Sequence, residues 1–229
     1  MIIKKCEFIK SAADYSGFIV SADIPQIVVA GKSNVGKSSF INFLTNNSKM
    51  AKTSNTPGRT RLVNYFAIND FLLVDLPGYG YAKGVKTEVE AWGYLMDDFF
   101  TKCRSLIRHV IVLVDVRHLP SQEDLEFVQF LNAYRFSFSV IATKSDKLSK
   151  MVVKQNLAKI ATALKIGIGD IFAISSTSKV GKEQVLALLE HALSVEKDPS
   201  SYIDNFDEVD DDESEETEIE IDENQDEIE

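Results

Sequence analysis

Residues suited to binding phosphate stand between a predicted strand and a predicted helix near the N-terminus. The run Gln26–Ala30 is largely apolar and rich in β-branched residues, which predicts a buried strand. It continues into Gly31-Lys-Ser-Asn-Val-Gly-Lys-Ser38, which has the spacing of a phosphate-binding loop. The two glycines let backbone amides turn toward a phosphate, the lysine reaches the β- and γ-phosphates, and the serine hydroxyl holds Mg²⁺. This stretch therefore predicts a nucleotide site.

Three further polar groups follow predicted strands. Asp75 ends a buried strand and is followed by Leu76, Pro77 and Gly78. Its carboxylate suits a water-mediated contact with Mg²⁺, and the backbone N–H of Gly78 suits the γ-phosphate. Thr143-Lys-Ser-Asp146 follows the predicted strand 138–142, and Ser175-Ser176 follows 171–174. Because ligands bind beyond the carboxyl ends of strands in open α/β sheets, we expect all these groups to share one site.

The elements that must position these residues alternate between strand and helix patterns. A hairpin is predicted over 62–68 and 71–75, and further strands over 110–114, 138–142 and 171–174. Helices are predicted over 36–46, 87–104, 121–134, 149–164 and 182–195. This order predicts an α/β fold of the P-loop nucleotide-binding kind: a mostly parallel six-stranded sheet with one antiparallel hairpin strand and helices on both faces. Residues 1–25 fit either a strand or a short helix packed on that domain. The aromatic residues of the second helix, Trp92, Tyr94, Phe99 and Phe100, are expected in the core.

Charge divides the 229 residues into two parts. The net charge is −10, but residues 204–229 hold 16 acidic residues and no Lys or Arg. Residues 1–203 hold the other 19 acidic residues and all 25 basic ones, a net charge of +6. We therefore expect a nucleotide-binding domain over 1–200 and an acidic disordered tail over 201–229. The tail either solvates the protein or competes with RNA for the basic body.

Composition narrows the protein classes further. No apolar run approaches the roughly 20 residues of a membrane span, and the N-terminus lacks a signal-peptide core. Cys6 and Cys103 have no metal-ligand or redox spacing. A cytoplasmic, monomeric protein without a membrane partner is expected. The basic body is compatible with nucleic acid, although a solvated surface with spare lysines fits the charge equally well.

The ordered motifs resemble the EngB (YihA/YsxC) family of translation-factor-like GTPases. The stretches that carry the resemblance are 31–39, Thr56-Pro-Gly-Arg-Thr60, Asp75-Leu-Pro-Gly-Tyr-Gly-Tyr-Ala82 and 143–146. The resemblance covers about residues 5–197. It implies GTP and GDP as ligands, Mg²⁺ as cofactor, and Mg²⁺ ligation by Ser38 and Thr60 with Asp75 acting through water.

The resemblance also implies roles for individual residues. GTP contacts are expected from Gly31, Lys32, Ser33, Asn34, Val35, Gly36, Lys37, Ser38, Ser39, Gly58, Arg59, Thr60, Arg61, Leu62, Asp75, Leu76, Pro77, Gly78, Thr143, Lys144, Ser145, Asp146, Ile174, Ser175 and Ser176. The Asp146 carboxylate would accept hydrogen bonds from the guanine ring N–H and amine, which adenine does not offer. Thr143 stands where the general GTPase motif has Asn, which is a change that could loosen guanine binding. Lys37, Thr60, Gly78 and Asn34 are the expected catalytic residues.

Two positions bear on the rate of hydrolysis. Ras-like enzymes carry a water-orienting glutamine after D-x-x-G, whereas this chain has Tyr79. Slow intrinsic hydrolysis, accelerated by a partner, is therefore expected. Asn34 occupies the position at which related GTPases use K⁺ as an extra positive charge; its alternative role is to fix its own turn.

The family resemblance implies a factor needed for assembly of the large ribosomal subunit and for cell division and septation. The resemblance places the first nucleotide-sensing switch at Gly58–Leu62 and the start of the second at Asp75–Gly78. Contacts with rRNA would come from basic residues on or near these switches: Arg59, Arg61, Lys83 and Lys86. One alternative is a division-site scaffold that GTP stabilises without a ribosomal role. The other, a P-loop phosphotransferase, is disfavoured by the base-reading motif 143–146.

Overall fold

The sheet that positions the site has seven strands in the computed structural model, which describes residues 1–20, 24–51, 62–80 and 86–195. The strands are β1 (Cys6–Ala12), β2 (Gln26–Gly31), β3 (Val63–Ile68), β4 (Phe71–Asp75), β5 (Ile107–Asp115), β6 (Phe138–Thr143) and β7 (Ile171–Ala173). Their spatial order is β1-β3-β4-β2-β5-β6-β7. The strands β4, β2, β5, β6 and β7 are parallel, whereas β3 is antiparallel to both β4 and β1. The α/β class predicted from the sequence is confirmed.

The sheet has one strand more than the predicted six. The N-terminal segment, which the sequence left open between strand and helix, forms edge strand β1 beside β3. Its apolar residues do not alternate cleanly, because Phe8 and Ile9 are both exposed and the pairing register shifts between Phe8 and Lys10. Such a bulge defeats the period-2 pattern by which a strand is recognised.

Five α-helices cover the two faces of the sheet within the described ranges. They are α1 (Lys37–Thr45), α2 (Lys86–Lys102), α3 (Gln122–Ala133), α4 (Lys150–Leu164) and α5 (Lys182–Ser194). Each lies within about two residues of its predicted bounds. Strand β5 starts three residues earlier than predicted, at Ile107. Tyr94 contradicts the predicted core set of α2, since it is 74% exposed, whereas Phe99 and Phe100 are fully buried.

Alternation along the central strands divides the core into two clusters. Val28 of β2 faces the cluster that contains the buried residues of α2, α3 and α4. Ile27 and Val29 face the opposite cluster, which contains those of α1 and α5. Because both faces are covered, the central strands are apolar throughout, as parallel strands in α/β proteins are.

The described residues belong to one compact unit, Met1–Lys197. Among them no helix combines the length and apolar character needed to cross a membrane. The predicted acidic tail, 201–229, lies outside the described residues, so the predicted domain boundary and the predicted disorder of the tail both stay predictions.

Candidate guanine nucleotide site

The phosphate-binding loop joins the carboxyl end of β2 to the N-terminus of α1. Gly31 has φ of 153°, and a Cβ there would lie 2.7 Å from the Leu113 carbonyl oxygen of β5. Gly36 has φ of 115° and is the residue that caps α1. Both positions therefore require glycine, one for close approach and both for backbone conformation. The first amides of α1 have no intrahelical acceptor, so the loop ends at a favourable position for an anion.

The Asp75–Gly78 segment lies directly against this loop. The backbone N–H of Ser33 donates to the Tyr79 carbonyl over 3.0 Å, and the Ser33 hydroxyl donates to the Gly78 carbonyl over 3.3 Å. A Cβ on Gly78 would lie 2.8 Å from Lys37 Nζ and 3.0 Å from the Ser33 nitrogen. The two predicted phosphate-contacting segments are thus brought together, and any side chain at position 78 would press on the loop lysine.

Asp75 is the buried acidic residue of the site. Its Oδ2 accepts from Asn64 Nδ2 at 3.5 Å, while its buried Oδ1 has no hydrogen-bond partner among the described residues. Burial raises the pKa of Asp75, and the charge of Lys37 opposes that rise. Burial likewise lowers the pKa of Lys37, opposed by Asp75. Each charge therefore partly compensates for the desolvation of the other.

The donor set fits Mg²⁺. An orphaned buried carboxylate oxygen is costly unless something donates to it, and water bound to a metal ion is a strong donor. Ser38, half-buried in the first turn of α1, offers the hydroxyl ligand. Thr60, the other predicted ligand, lies outside the described residues.

The predicted base-reading segment is tied to the phosphate loop through Thr143. This residue ends β6, is 4% exposed, and its hydroxyl lies 2.7 Å from the Val35 carbonyl and 3.1 Å from the Val114 carbonyl. The hydroxyl thus holds the loop and the end of β5 together. Thr143 is a structural tie between two parts of the site, and its short side chain suffices for that role.

Lys144 makes a second tie between the same two segments. It takes a left-handed backbone conformation with φ of 63°, and its Nζ donates to the Asn34 carbonyl and to Asp115 Oδ2, both over 2.9 Å. Asp115 also accepts two hydrogen bonds from the Arg117 guanidinium. Burial alone would raise the pKa of Asp115, but the hydrogen bonds from Arg117 and Lys144 outweigh it and lower that pKa. The carboxylate therefore stays charged and holds the lysine.

Asp146 is positioned by the loop that follows β7. The Ser175 hydroxyl donates to Asp146 Oδ1 over 2.7 Å, and this bond is the main cause that lowers the pKa of Asp146. The Ser145 amide donates to the Ile174 carbonyl over 3.1 Å. Ile174 and Ser175 are fully buried. A charged, acceptor-only carboxylate held in this way suits a partner that presents two donors, as guanine does.

Tyr79 points away from this chemistry. Its side chain is 5% exposed, packs against Trp92 and Phe127, and donates its hydroxyl to Asp124 Oδ1 of α3 over 2.8 Å. Burial and the charge of Asp124 raise its pKa well above the usual value, so the phenol keeps its proton. A side chain committed to the core is not available to orient a water molecule at the nucleotide.

Known proteins resemble the chain over the same region. A family model described as "50S ribosome-binding GTPase" matches residues 26–144. The "Probable GTP-binding protein EngB" of Clostridium kluyveri is 46% identical over 195 residues, which cover 84% of this chain and 98% of that protein. The chain belongs to the EngB family of GTP-binding proteins. The protein of the same name from Fusobacterium nucleatum is 42% identical over 195 residues, or 85% of this chain and 100% of that one.

Solved structures agree with the fold of an EngB protein. A crystal structure of a probable GTP-binding protein EngB superposes with a TM-score of 0.62 at 24% identity, over 73% of this chain and 98% of that one. Era in complex with MgGDPNP and nucleotides 1506–1542 of 16S ribosomal RNA gives 0.58 at 20% identity, over 76% of this chain and 58% of Era. At these identities the likeness concerns the fold. Membership of the EngB family makes the chain a GTP-binding GTPase.

The structure gathers most of the predicted EngB site residues at one end of the sheet. Residues 31–39, 75–78, 143–146 and 174–176 all lie at carboxyl ends of strands or directly after them. Leu62 is exposed at the start of the hairpin. Gly58, Arg59, Thr60 and Arg61 lie outside the described residues. Contact of each residue with GTP stays a prediction.

Four residues that sequence reasoning did not assign complete the EngB site. Asn64 donates a hydrogen bond to Asp75, and Asp115 accepts one from Lys144. Asp124 accepts a hydrogen bond from Tyr79, and Trp92 Nε1 donates to the Pro77 carbonyl over 3.1 Å. Asp115 had a visible signal, because it ends a buried strand as Asp75 does. The other three act across elements, and no local pattern in the sequence reports such partners.

Proposed function

We propose that this EngB protein is a slow, Mg²⁺-dependent GTPase switch that acts in assembly of the large ribosomal subunit, and through it in cell division and septation. The observation that carries the proposal is the joined site. The base-reading segment is bonded to the phosphate loop through Thr143 and Lys144, and the Asp75–Gly78 segment is bonded to the same loop through Ser33. The base, the phosphates and the state of the Asp75–Gly78 segment would therefore be sensed by one connected set of residues.

The chemistry follows from the roles of the residues. Amides of the phosphate loop and Lys37 would hold the β- and γ-phosphates, and Asp146 would select guanine. Ser38 and Thr60, with Asp75 through water, would hold Mg²⁺, which would neutralise phosphate charge. The N–H of Gly78 would sense the γ-phosphate. Since Gly78 is already hydrogen-bonded to Ser33, loss of that phosphate would alter a contact with the loop itself.

Slow hydrolysis is supported by the position of Tyr79 in the core. We expect a low rate for the isolated protein and a higher rate in the presence of its partner. Substantial intrinsic turnover that is lost in Tyr79→Ala would contradict this proposal, because it would give the phenol a direct catalytic role.

We also propose that K⁺ assists hydrolysis at Asn34. This residue is exposed in the phosphate loop with φ of 64°, and its carbonyl is fixed by Lys144. Hydrolysis rates should be higher in KCl than in NaCl at equal ionic strength, and Asn34→Ala should lose the difference. Equal rates in the two salts would remove K⁺ from the mechanism.

The ribosomal role has two supports: the family model whose description names 50S ribosome binding, and the +6 charge of residues 1–203. The test is co-sedimentation of the full-length protein with separated ribosomal subunits in KCl buffer, with GDP, a non-hydrolysable GTP analogue, or ATP. We expect binding to the large subunit with the GTP analogue and little with GDP or ATP.

The same measurement separates the alternative. Absent or nucleotide-independent sedimentation would overturn the ribosomal role and leave the division-site scaffold, in which GTP stabilises an interaction and hydrolysis is incidental. An Asp146→Ala variant serves as a control, because it should lose the nucleotide dependence while keeping its surface charge nearly unchanged.

A further inference from the structure

Helix α4 has a surface whose charges are all of one sign. Residues 147–169 contain five lysines and no Asp or Glu. We call Lys147, Lys150, Lys154, Lys159 and Lys165 the lysine surface; all five are exposed. The opposite side of the helix is anchored in the core by Ile160, Ala161 and Leu164. Position and orientation of the surface are therefore determined by packing.

The lysines of this surface are largely without acidic partners. Lys147 pairs with Asp146 at 3.3 Å. Within the described part of the chain, Lys150, Lys154, Lys159 and Lys165 form no ion pair. Lys150 and Lys154 are four residues apart, where like charges destabilise a helix. The structure thus retains a repulsion that one glutamate could relieve.

The first turn of α4 also lacks a charge that would stabilise the helix. An acidic residue in the first turn is favoured by the helix dipole, and α3 and α5 both have one. Helix α4 has none there and begins with Lys150 instead. From Lys150 to Lys165, α4 and its C-cap contain no Asp or Glu at all.

We propose that the lysine surface binds the phosphate backbone of RNA. The surface extends about 22 Å from Lys150 to Lys165 at the rise of an α-helix. Lys150, Lys154 and Lys165 lie within about 60° of one another around the helix axis, and such a row of cations complements a row of phosphates. Lys159 extends the positive charge to the other flank of the exposed side, and the Ser149 hydroxyl and the Gln155 amide are further phosphate donors. RNA is favoured over an acidic protein because the exposed large apolar side chains of residues 147–169, Met151 and Ile168, lie at the two ends, whereas a protein interface would need apolar area at its centre.

The surface also adjoins the nucleotide site. Lys147 follows Asp146 directly and the short helix Ser145–Lys147 leads into α4. Asn156 of α4 donates to the Val116 carbonyl over 2.8 Å, just after β5 ends at Asp115, the partner of Lys144. The lysine surface thus begins, at Lys147, one residue from the group that would read guanine. This inference rests on the proposed function for the identity of the RNA, but the surface is testable without ribosomes.

The test compares two triple variants of the full-length protein with equal changes in charge. One is Lys150→Gln/Lys154→Gln/Lys159→Gln, and the control is Lys4→Gln/Lys5→Gln/Lys49→Gln, three exposed lysines elsewhere. The probe is a fluorescent 12-base-pair RNA hairpin, titrated at several KCl concentrations and followed by anisotropy. GDP affinity and thermal unfolding of each variant establish that the fold and the nucleotide site are intact.

We expect the α4 variant to bind the hairpin about tenfold more weakly at moderate salt and to reduce the slope of log affinity against log salt by about 2 to 3. The control variant should show a smaller loss and a slope closer to that of the unmodified protein. Equal effects of the two variants would overturn the proposal, since the response would then follow net charge. If poly-L-glutamate displaces the hairpin as efficiently as unlabelled RNA, the surface is a general polyanion receptor and the assignment to RNA is wrong.

Sedimentation with large subunits in the GTP-analogue state separates this inference from the proposed function. If the unmodified protein and the α4 variant sediment equally, the proposal that the lysine surface binds ribosomal RNA is overturned, while the ribosomal role stands. If neither sediments, the ribosomal role fails, and the hairpin titration still decides whether α4 binds RNA.

Discussion

The hydroxyl of Tyr79 and the carboxylate of Asp124 share a 2.8 Å hydrogen bond in the core. The other carboxylate oxygen, Oδ2, accepts from the backbone N–H of Ser121 over 2.8 Å and so begins α3. One buried side chain thus joins the segment after Gly78 to the N-terminus of a neighbouring helix.

Removing the phenol should therefore cost stability and leave catalysis unchanged. Tyr79→Phe leaves a buried carboxylate oxygen without its donor, which should lower the free energy of unfolding by about 1–3 kcal/mol. Urea unfolding gives the stability, and single-turnover GTP hydrolysis should change less than about twofold. Tyr94→Phe, at a 74% exposed position of α2, is the control and should affect neither. A large loss of hydrolysis at unchanged stability would place the phenol in the reaction.

The Thr143 hydroxyl should contribute to nucleotide affinity without touching the nucleotide. Thr143→Val keeps the shape and removes the bonds to the Val35 and Val114 carbonyls, so the phosphate loop loses one tie. A loss of about 0.5–1.5 kcal/mol, or about two- to tenfold in GDP affinity, is expected by fluorescent-nucleotide titration. Thr162→Val is the matched control, because that hydroxyl bonds only within α4. Unchanged GDP affinity in Thr143→Val would show that Lys144 alone joins the two segments.

Asp75 should act through Mg²⁺. Asp75→Asn removes the charge that would orient a metal-bound water, so the increase in GDP affinity on adding Mg²⁺ should be about tenfold smaller than in the unmodified protein. In EDTA the two proteins should bind GDP comparably. Asp70→Asn, in the exposed turn between β3 and β4, is the control. A full Mg²⁺ response in Asp75→Asn would exclude Asp75 from the metal site.

His109 should make the fold sensitive to mild acid. Burial, with a smaller contribution from His191, lowers the pKa of His109 to about 4, and the neutral ring contacts Ser137 and Ser139. The unfolded chain binds this proton near pH 6.5, so stability is full above that pH and falls as the pH drops toward 4. The contribution lost between pH 7.5 and 5 is about 2 kcal/mol.

Urea unfolding at pH 7.5 and 5 measures this effect. His109→Gln should lose less stability between the two pH values than the unmodified protein, by about 2 kcal/mol. His118→Gln, an exposed position, should match the unmodified protein. Equal pH dependence in all three would show that other groups govern the acid response.

The sequence predicted the parts of the site that are local in the chain. Phosphate-loop glycines, Asp75 at a strand end and the motif 143–146 are each short patterns whose spacing follows from their chemistry. The alternation of strands and helices then brings their ends together, because all parallel strands of such a sheet share one carboxyl edge. Helix bounds were accurate for the same reason: apolar periodicity and caps such as Ser121 are local signals.

Partners distant in the chain were not predictable in this way. The capping box that Ser121 and Asp124 form at the start of α3 accounts for only one of the two Asp124 oxygens. The hydrogen bond from Tyr79 to the other carboxylate oxygen depends on how α3 packs beside the Asp75–Gly78 segment. Thr143 likewise was interpreted by comparison with asparagine in the general motif, whereas its role depends on a carbonyl 108 residues away.

The two core clusters have a mechanical consequence. The sheet puts α1, which carries the phosphate loop, on one side, and α2, α3 and α4 on the other. Tyr79 belongs to the second side, together with the inner face of α4. A displacement that starts after Gly78 can therefore reach the lysines of α4 through a single layer of helices, without crossing the sheet.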